Sequence, residues 1–213
     1  MLYKNKEKEY FSRVRLDIIN EIPCYGKKLK VLEVGCGLGS TLIELKKRGI
    51  AEYVAGIDIV ELNQKTVLDN FVCGDVEKIE MLPYPENFFD IIICADVLEH
   101  LKDPWTTVKK LKKHLKEKGY FISSIPNIRE YTVIGKIVFK GSFEYQEEGI
   151  LDKTHLRFFC KKDMIKLFKE AGLEIEKVKP NFPTLQRYWL SKLTFKRLEE
   201  FLAVQYIILA KKL

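Results

Sequence analysis

Five short apolar runs, KVLEV, YVAGIDI, FVCGD, FFDIIICAD and YFISSIP, recur between residues 30 and 126, with helix-like stretches between them. Their apolar residues follow one another instead of alternating with polar ones. Such runs read as strands buried on both faces, the arrangement of a parallel sheet covered by helices. Each run closes on residues foreign to a strand. Gly35 to Gly39 follow the first, Asp58 the second, Asp75 the third, Asp96 the fourth, and Pro126 ends the fifth. Parallel sheets take their ligands beyond the carboxyl ends of their strands, so a site is expected at these five turns.

The flanking pattern fits the same plan. Residues 8–20 place Phe11, Val14, Ile18 and Ile19 at helical spacing ahead of the first strand, and Pro23 and Gly26 break the pattern. TLIELKKRG reads as a helix stopped by Gly49. Seven lysines fall within residues 102–118. Trp105, Val108, Leu111 and Leu115 recur at helical spacing among them, so the lysines read as a solvated face on a helix started by Asp103 and Pro104. Residues 127–153 are long for a loop and are expected to form a small cap. KKDMIKLFKEAG then reads as a helix, LEIEKVKP as a sixth strand, PTLQRYWLSKLTFKRLEE as a helical insert and FLAVQYIILAKK as the last strand. The expected organisation is one domain over 1–213: an N-terminal helical segment (1–28), a ligand-binding core (29–126), a cap and acceptor-side segment (127–158) and a C-terminal part (159–213).

Composition excludes several classes. The 213 residues are 46% hydrophobic and 31% charged, as in soluble globular proteins. No run reaches the length of a membrane span, and the first residues lack the apolar centre of a secretory signal. A cytoplasmic protein is expected. The five cysteines include no CxxC pair, so reduced cysteines and no metal are expected. The net charge of +7 comes without a nucleic-acid motif. No nucleic-acid partner is therefore expected, although peripheral membrane contact by the insert stays open.

EVGCGLGS carries glycines at 35, 37 and 39 between a strand and a helix, letting the backbone approach a ligand closely. A nicotinamide fingerprint would place its third glycine at 40, where Ser40 stands, and no Walker loop is present. The GxGxG form suits a ligand with an adenosine and no phosphates. The stretch from Glu33 to Gly39 resembles motif I of the class I S-adenosylmethionine-dependent methyltransferases. Asp58 matches that family's ribose-binding acid, Gly74-Asp75-Val76 its third-strand motif, Phe89-Asp90-Ile91-Ile92 its fourth strand, and Asp96-Val-Leu-Glu-His-Leu101 its LEH motif. The likeness is strongest over residues 29–126 and includes the ubiquinone-pathway and sugar or small-molecule O-methyltransferase subgroup. It implies a Rossmann-like α/β fold: a seven-stranded, mostly parallel sheet with helices on both faces and a small cap after the fifth strand. It also implies S-adenosyl-L-methionine as cofactor, held by Glu33, Gly35, Cys36, Gly37, Gly39, Asp58, Ile59, Asp75, Val76 and Asp96. The sixteen residues between Asp58 and Asp75 are fewer than the family commonly has there.

The implied activity is methyl transfer to a small-molecule acceptor, an oxygen of a sugar, lipid-linked or phenolic metabolite, by a monomer or homodimer. The alternatives are an RNA or protein methyltransferase, or a cofactor-binding homologue without activity. Asp96, Glu99 and His100 would share one face if their segment were helical. Asp96 and His100 are therefore candidates for the chemistry, with His100 as general base or as part of an ion site. GILDKTHLRFF, residues 149–159, alternates like a strand. That pattern puts Leu156 and Phe158 in the core and turns His155 and Arg157 towards solvent or an acceptor. His155 reads as a base, a hydrogen-bond donor or a structural histidine held by Asp152 or a carbonyl. Arg157, Asn127 and Tyr131 are the candidate acceptor contacts.

Overall fold

The computed structural model describes residues 13–23, 28–61 and 68–213. A short helix, α1 (Leu16–Ile19), precedes β1 (Leu29–Val34), α2 (Ser40–Lys47), β2 (Ala51–Asp58), β3 (Asn70–Cys73) and β4 (Phe89–Ala95). A 3-10 turn (Leu98–His100) leads to α3 (Pro104–His114) and β5 (Leu115–Pro126). The chain then forms α4 (Tyr131–Lys140), α5 (Lys161–Glu170), β6 (Leu173–Asn181), α6 (Leu185–Leu193), α7 (Glu199–Leu202) and β7 (Gln205–Lys212). The strands make one sheet in the order β3-β2-β1-β4-β5-β7-β6. Only β7 runs against its neighbours, antiparallel to both β5 and β6. The seven-stranded, mostly parallel sheet expected from the sequence is therefore present.

Two apolar layers explain why the strands carry uninterrupted apolar runs. Leu32, Val34, Ile92, Cys94 and Phe121 project to one face and pack with Val108 and Leu111 of α3 and Met164, Leu167 and Phe168 of α5. Val31, Ile91, Ile93 and Ile122 project to the other, with Ile18, Ile19, Leu42 and Leu45 from α1 and α2. Each such side chain withdrawn from water contributes about 1.5–3 kcal/mol. The same alternation along β1 leaves Glu33 buried at the strand's carboxyl end.

Local signals start and stop the helices that frame the site. Asp103 caps α3 by accepting the Thr106 N–H at 3.0 Å, with Pro104 in the first turn. Glu130 caps α4 through Thr132 at 2.9 Å, and Gly141 ends it in the left-handed conformation. Cys160, an unusual residue at a helix start, is assisted by Asp163, which accepts the Cys160 N–H at 3.3 Å. The third strand ends at Cys73, short of Asp75, and the fifth begins at Leu115, straight out of α3. The N-terminal helix is described only over Leu16–Ile19; Phe11, Gly26 and most of ELNQKTVLDN lie outside the described residues. Among the described residues no helix is long and apolar enough to cross a membrane.

Two expectations about individual segments are corrected. Residues 154–158 form no strand; only isolated bridges, Gln146 to Asp152 and Asn127 to Phe159, anchor the stretch. Thr154 and His155 turn inward and Leu156 outward, because the N–H groups of Leu156 and Arg157 both donate to the Glu99 carbonyl (2.8 and 2.9 Å) and bend the chain. His114, the last residue of α3, is buried with Nδ1 at 3.1 Å from the Pro85 carbonyl.

Candidate active site

A cleft of about 480 Å³ opens at the carboxyl ends of β1, β2 and β4, within the range of small-molecule sites. Its floor is the turn after β1. Gly35 has φ of +72°, and a Cβ there would sit 2.4 Å from Val97 Cγ2. Only glycine fits that conformation and that approach. The Gly37 N–H donates to Asp58 Oδ2 at 2.7 Å, and the Val60 N–H donates to Oδ1 at 2.8 Å. The carboxylate closing β2 thus braces the glycine turn while facing the cleft. Burial raises its pKa, against those amide hydrogen bonds.

Glu33 lies beneath, 3% exposed, and its Oε2 has no hydrogen-bond partner. Burial pushes this carboxyl up to about 8, with Asp58 adding to the rise and Arg15 and Thr41 opposing it. An orphaned buried acid facing a cleft is a place where a ligand supplies the missing donor or positive charge. Asp75 enters from the turn after β3 and accepts the Glu77 N–H at 3.0 Å. Ile59 is half exposed on the wall, and the buried Val76 and Leu101 add apolar lining to the cleft.

Asp96 follows β4 with φ of +56°, a strained setting for a residue other than glycine. Its N–H donates to the Ser124 carbonyl at 3.1 Å, and its side chain accepts from Ser124 Oγ at 3.0 Å, Gln205 and Arg15. Arg15 also grips Asp17 with two hydrogen bonds, 2.9 and 2.8 Å. Burial opposes its charge, but the bonds to Asp17 and the charge of Asp96 outweigh it and raise the guanidinium's pKa. A fixed cation therefore stands at the cleft rim among carboxylates. Arg13, Arg15 and Thr41, which line the cleft, were missed from sequence. Nothing in their spacing marks them; Asp17, two residues after Arg15, is the only local hint.

The catalytic candidates meet at the 3-10 turn. Because Leu98–His100 is not an α-helix, Asp96 turns away from Glu99 and His100. The expected face of Asp96, Glu99 and His100 is therefore not formed. The chain instead brings His155 to His100, with ring centroids 4.7 Å apart. Donor atoms of Glu99, His100 and His155 all lie within 4.8 Å of one another, a group able to hold a metal ion where none was expected. Glu99 is 1% exposed with both oxygens unpartnered. Burial, then the charge of Asp96, drives its pKa far upward. A network fixes the imidazoles. Thr154 donates its hydroxyl to Asp152 at 2.6 Å, so that hydroxyl can only accept from His100 Nδ1 at 3.1 Å, beside the Thr154 carbonyl at 3.1 Å. His155 Nδ1 donates to the Ile150 carbonyl at 2.9 Å. In its neutral form each ring therefore has its proton on Nδ1 and its lone pair on Nε2. His100 and Leu156 line the cleft, and His155 stands behind them.

Of the expected cofactor residues, Glu33, Gly35, Cys36, Gly37, Asp58, Ile59, Asp75, Val76 and Asp96 all line this cleft. Gly39 does not line it; with φ of +72° it starts α2 and packs on Leu68. The three expected acceptor contacts fall elsewhere. Asn127 is fully buried and gives its amide to the Glu200 and Ala203 carbonyls (2.7 and 2.8 Å). Arg157 donates to the Lys102 carbonyl through Nε at 3.0 Å and lies over Trp105. Tyr131 pairs with Arg187, at 3.2 Å from its hydroxyl. In each case a nearby backbone or charged partner claims the side chain, which sequence spacing does not reveal.

Comparison with known proteins agrees with this geometry. The family model described as "Methyltransferase domain" matches residues 6–178. The ubiquinone biosynthesis O-methyltransferase of Coxiella burnetii (strain Dugway 5J108-111) is 30% identical over 198 residues, covering 84% of this chain and 81% of that protein. The protein of the same name from Neisseria meningitidis serogroup A is 28% identical over 177 residues, 78% of this chain and 72% of the relative. Among solved structures, an S-adenosylmethionine-dependent methyltransferase from Archaeoglobus fulgidus superposes with a TM-score of 0.64 at 19% identity, over 97% of this chain and 95% of that one. Another from Mesorhizobium loti gives 0.63 at 15% identity, over 98% and 99%. The orphaned Glu33, the glycine floor and the acid-lined cleft fit a cofactor bearing a sulfonium and an amine. The chain belongs to the methyltransferase-domain family and is an S-adenosylmethionine-dependent methyltransferase.

Proposed function

We propose that this protein methylates an oxygen of a small-molecule acceptor, with His100 removing the acceptor's proton. The observation that carries the reading is the hydrogen-bond chain from Asp152 through Thr154 to His100 Nδ1, which leaves the lone pair on Nε2 of a ring lining the cofactor cleft. S-adenosylmethionine, when bound, supplies a methyl group activated for in-line displacement. Glu33 and Asp58 bind its cationic and hydroxyl-bearing parts, Asp75 accepts from the amino group of its base, and Ile59, Val76 and Leu101 cover that base. Arg15, held by Asp17 and Asp96, is the cation available for its carboxylate. Nε2 of His100 accepts the acceptor's hydroxyl proton, a role worth on the order of 10²–10⁴ in rate. His155 and Thr154 keep the ring oriented. Relatives named for ubiquinone biosynthesis make phenols the first acceptors to test.

A second reading is favoured by Glu99. Its two orphaned oxygens beside His100 and His155 suit a divalent cation, which would polarise an acceptor's oxygen as a Lewis acid. The test for both is incubation with S-adenosylmethionine and a panel of catechol, phenol and sugar acceptors, with products located by mass spectrometry. Methylation at oxygen, unaffected by chelator, supports the base. Methylation lost on chelation and restored by Mg²⁺ or Zn²⁺ supports the ion. Methylation only at nitrogen or carbon rejects oxygen transfer.

A further inference from the structure

A second cavity, about 550 Å³, lies between β6, α6 and α7 and shares no lining residue with the cofactor cleft. Its charge is lopsided. Arg129, Lys161, Lys179, Lys192, Lys196 and Arg197 line it, against two acids, Glu199 and Glu200. Glu200 is taken by Arg129, Glu199 by Lys161 at 2.8 Å, and Lys179 reaches out to Glu21. Among the described residues no carboxylate pairs with Lys192, Lys196 or Arg197, and Lys192 lies 5.5 Å over the Tyr188 ring, so three cations without a paired acid line one hollow. Phe195 and Lys196, with φ of 50° and 63°, hold a left-handed turn that costs roughly 1–2 kcal/mol per residue. The turn is tied by the Lys196 N–H to the Ser191 carbonyl at 2.8 Å and presents Lys196 and Arg197 to the cavity.

The helix beside the cavity is inside out. Surface helices ordinarily bury their apolar stripe. In α6 the only buried residue is Ser191, and Tyr188, Ser191 and Lys192 face the cavity. Leu185, Trp189 and Leu193, spaced four apart, are 77%, 61% and 75% exposed. Phe195 extends the line at 89% exposed. Large apolar side chains in water next to uncompensated cations complement one kind of partner: an anionic headgroup joined to hydrocarbon.

We propose that this face docks on anionic phospholipid, with a headgroup phosphate seated in the cavity against Lys192, Lys196 and Arg197 and the acyl region along Leu185, Trp189 and Leu193. Tyr206, buried behind the cavity with an unpartnered hydroxyl, lies under the Lys161 ammonium, 5.2 Å from the ring centroid. The docking face stands independently of the acceptor chemistry proposed above.

The test is vesicle flotation with phosphatidylcholine alone or mixed with phosphatidylglycerol, using the full chain and two exposed double variants, Lys196→Glu with Arg197→Glu and Trp189→Ser with Leu193→Ser. S-adenosylhomocysteine binding and thermal melting serve as folding controls, since neither pair touches the cleft. The full chain is expected to float with the anionic vesicles and not with the neutral ones. The charge pair should lower that partition by at least about 30-fold, and the apolar pair should lower it as well. Calorimetry with glycerol 3-phosphate separates a free phosphate from a lipid one. Binding of glycerol phosphate without flotation would overturn the lipid assignment. Flotation that the charge variant does not change would overturn the cavity's role, as would equal binding to neutral vesicles.

Discussion

At the carboxyl ends of β1, β2 and β4 the chain turns within a few residues of each strand. After β5 it travels through α4 and the 149–159 segment before re-entering the core at α5. The first region is built by backbone. Glycine conformations, amide hydrogen bonds to Asp58 and the strained Asp96 position are set by backbone at the ends of adjacent strands. The second region is built by distant side chains. His155 reaches His100, Arg187 reaches Glu130 at 2.7 Å, and Asn127 ties β5 to the end of α7. A cofactor of fixed shape suits the first kind of construction. The second kind can change its residues without disturbing the sheet.

That contrast predicts where substitutions act. Gly35→Val forces a Cβ to within 2.4 Å of Val97 and fills the floor of the cleft. Calorimetry should show S-adenosylhomocysteine affinity reduced by at least about 1000-fold, or ~4 kcal/mol, in a protein that still melts cooperatively. Near-normal affinity would mean that the glycine floor does not touch the cofactor. His100→Gln should lower kcat by about 100-fold while leaving that affinity within a factor of about two. Equal losses in both would merge the two regions into one.

Asp58→Asn keeps the shape but loses the carboxylate that accepts from Gly37 and Val60. Affinity should drop by about 10-fold, ~1.4 kcal/mol, with kcat at saturation unchanged. Glu33 supplies the pH test. Burial holds it neutral below about 8, whereas a cationic ligand favours its ionised form. Affinity should therefore rise as pH climbs towards about 8 and then level off, and Glu33→Gln should flatten the profile. Without cofactor the sign reverses: the unfolded chain ionises Glu33 first, so the fold loses stability over the same climb. The smallest effect belongs to Arg157→Lys. Its guanidinium serves the Lys102 carbonyl, so cofactor affinity should stay within about two-fold and any change should appear in the melting temperature.

How legible each region was in sequence follows from the same difference. The strands, the glycine turn and the acids at strand ends could be read because each shows as a short stretch of sequence, an apolar run closed by glycines or an acid. The segment of residues 149–159 could not. Its alternation mimics a strand, but two hydrogen bonds to the Glu99 carbonyl bend it and bury His155. Glu99 itself looked like a helix-face residue and is an unpartnered buried acid. Arg15 carried little signal beyond nearby Asp17, since its other partner Asp96 is 81 residues away.

The cleft floored by Gly35 and walled by Asp58 is proposed as the cofactor site. Titration of the wild-type chain with S-adenosylhomocysteine, alongside NAD and the Gly35→Val variant, tests it directly. One equivalent should bind to the wild type and none to the variant, and NAD should give no heat. Absence of binding at millimolar S-adenosylhomocysteine, or equal binding by the variant, would contradict it.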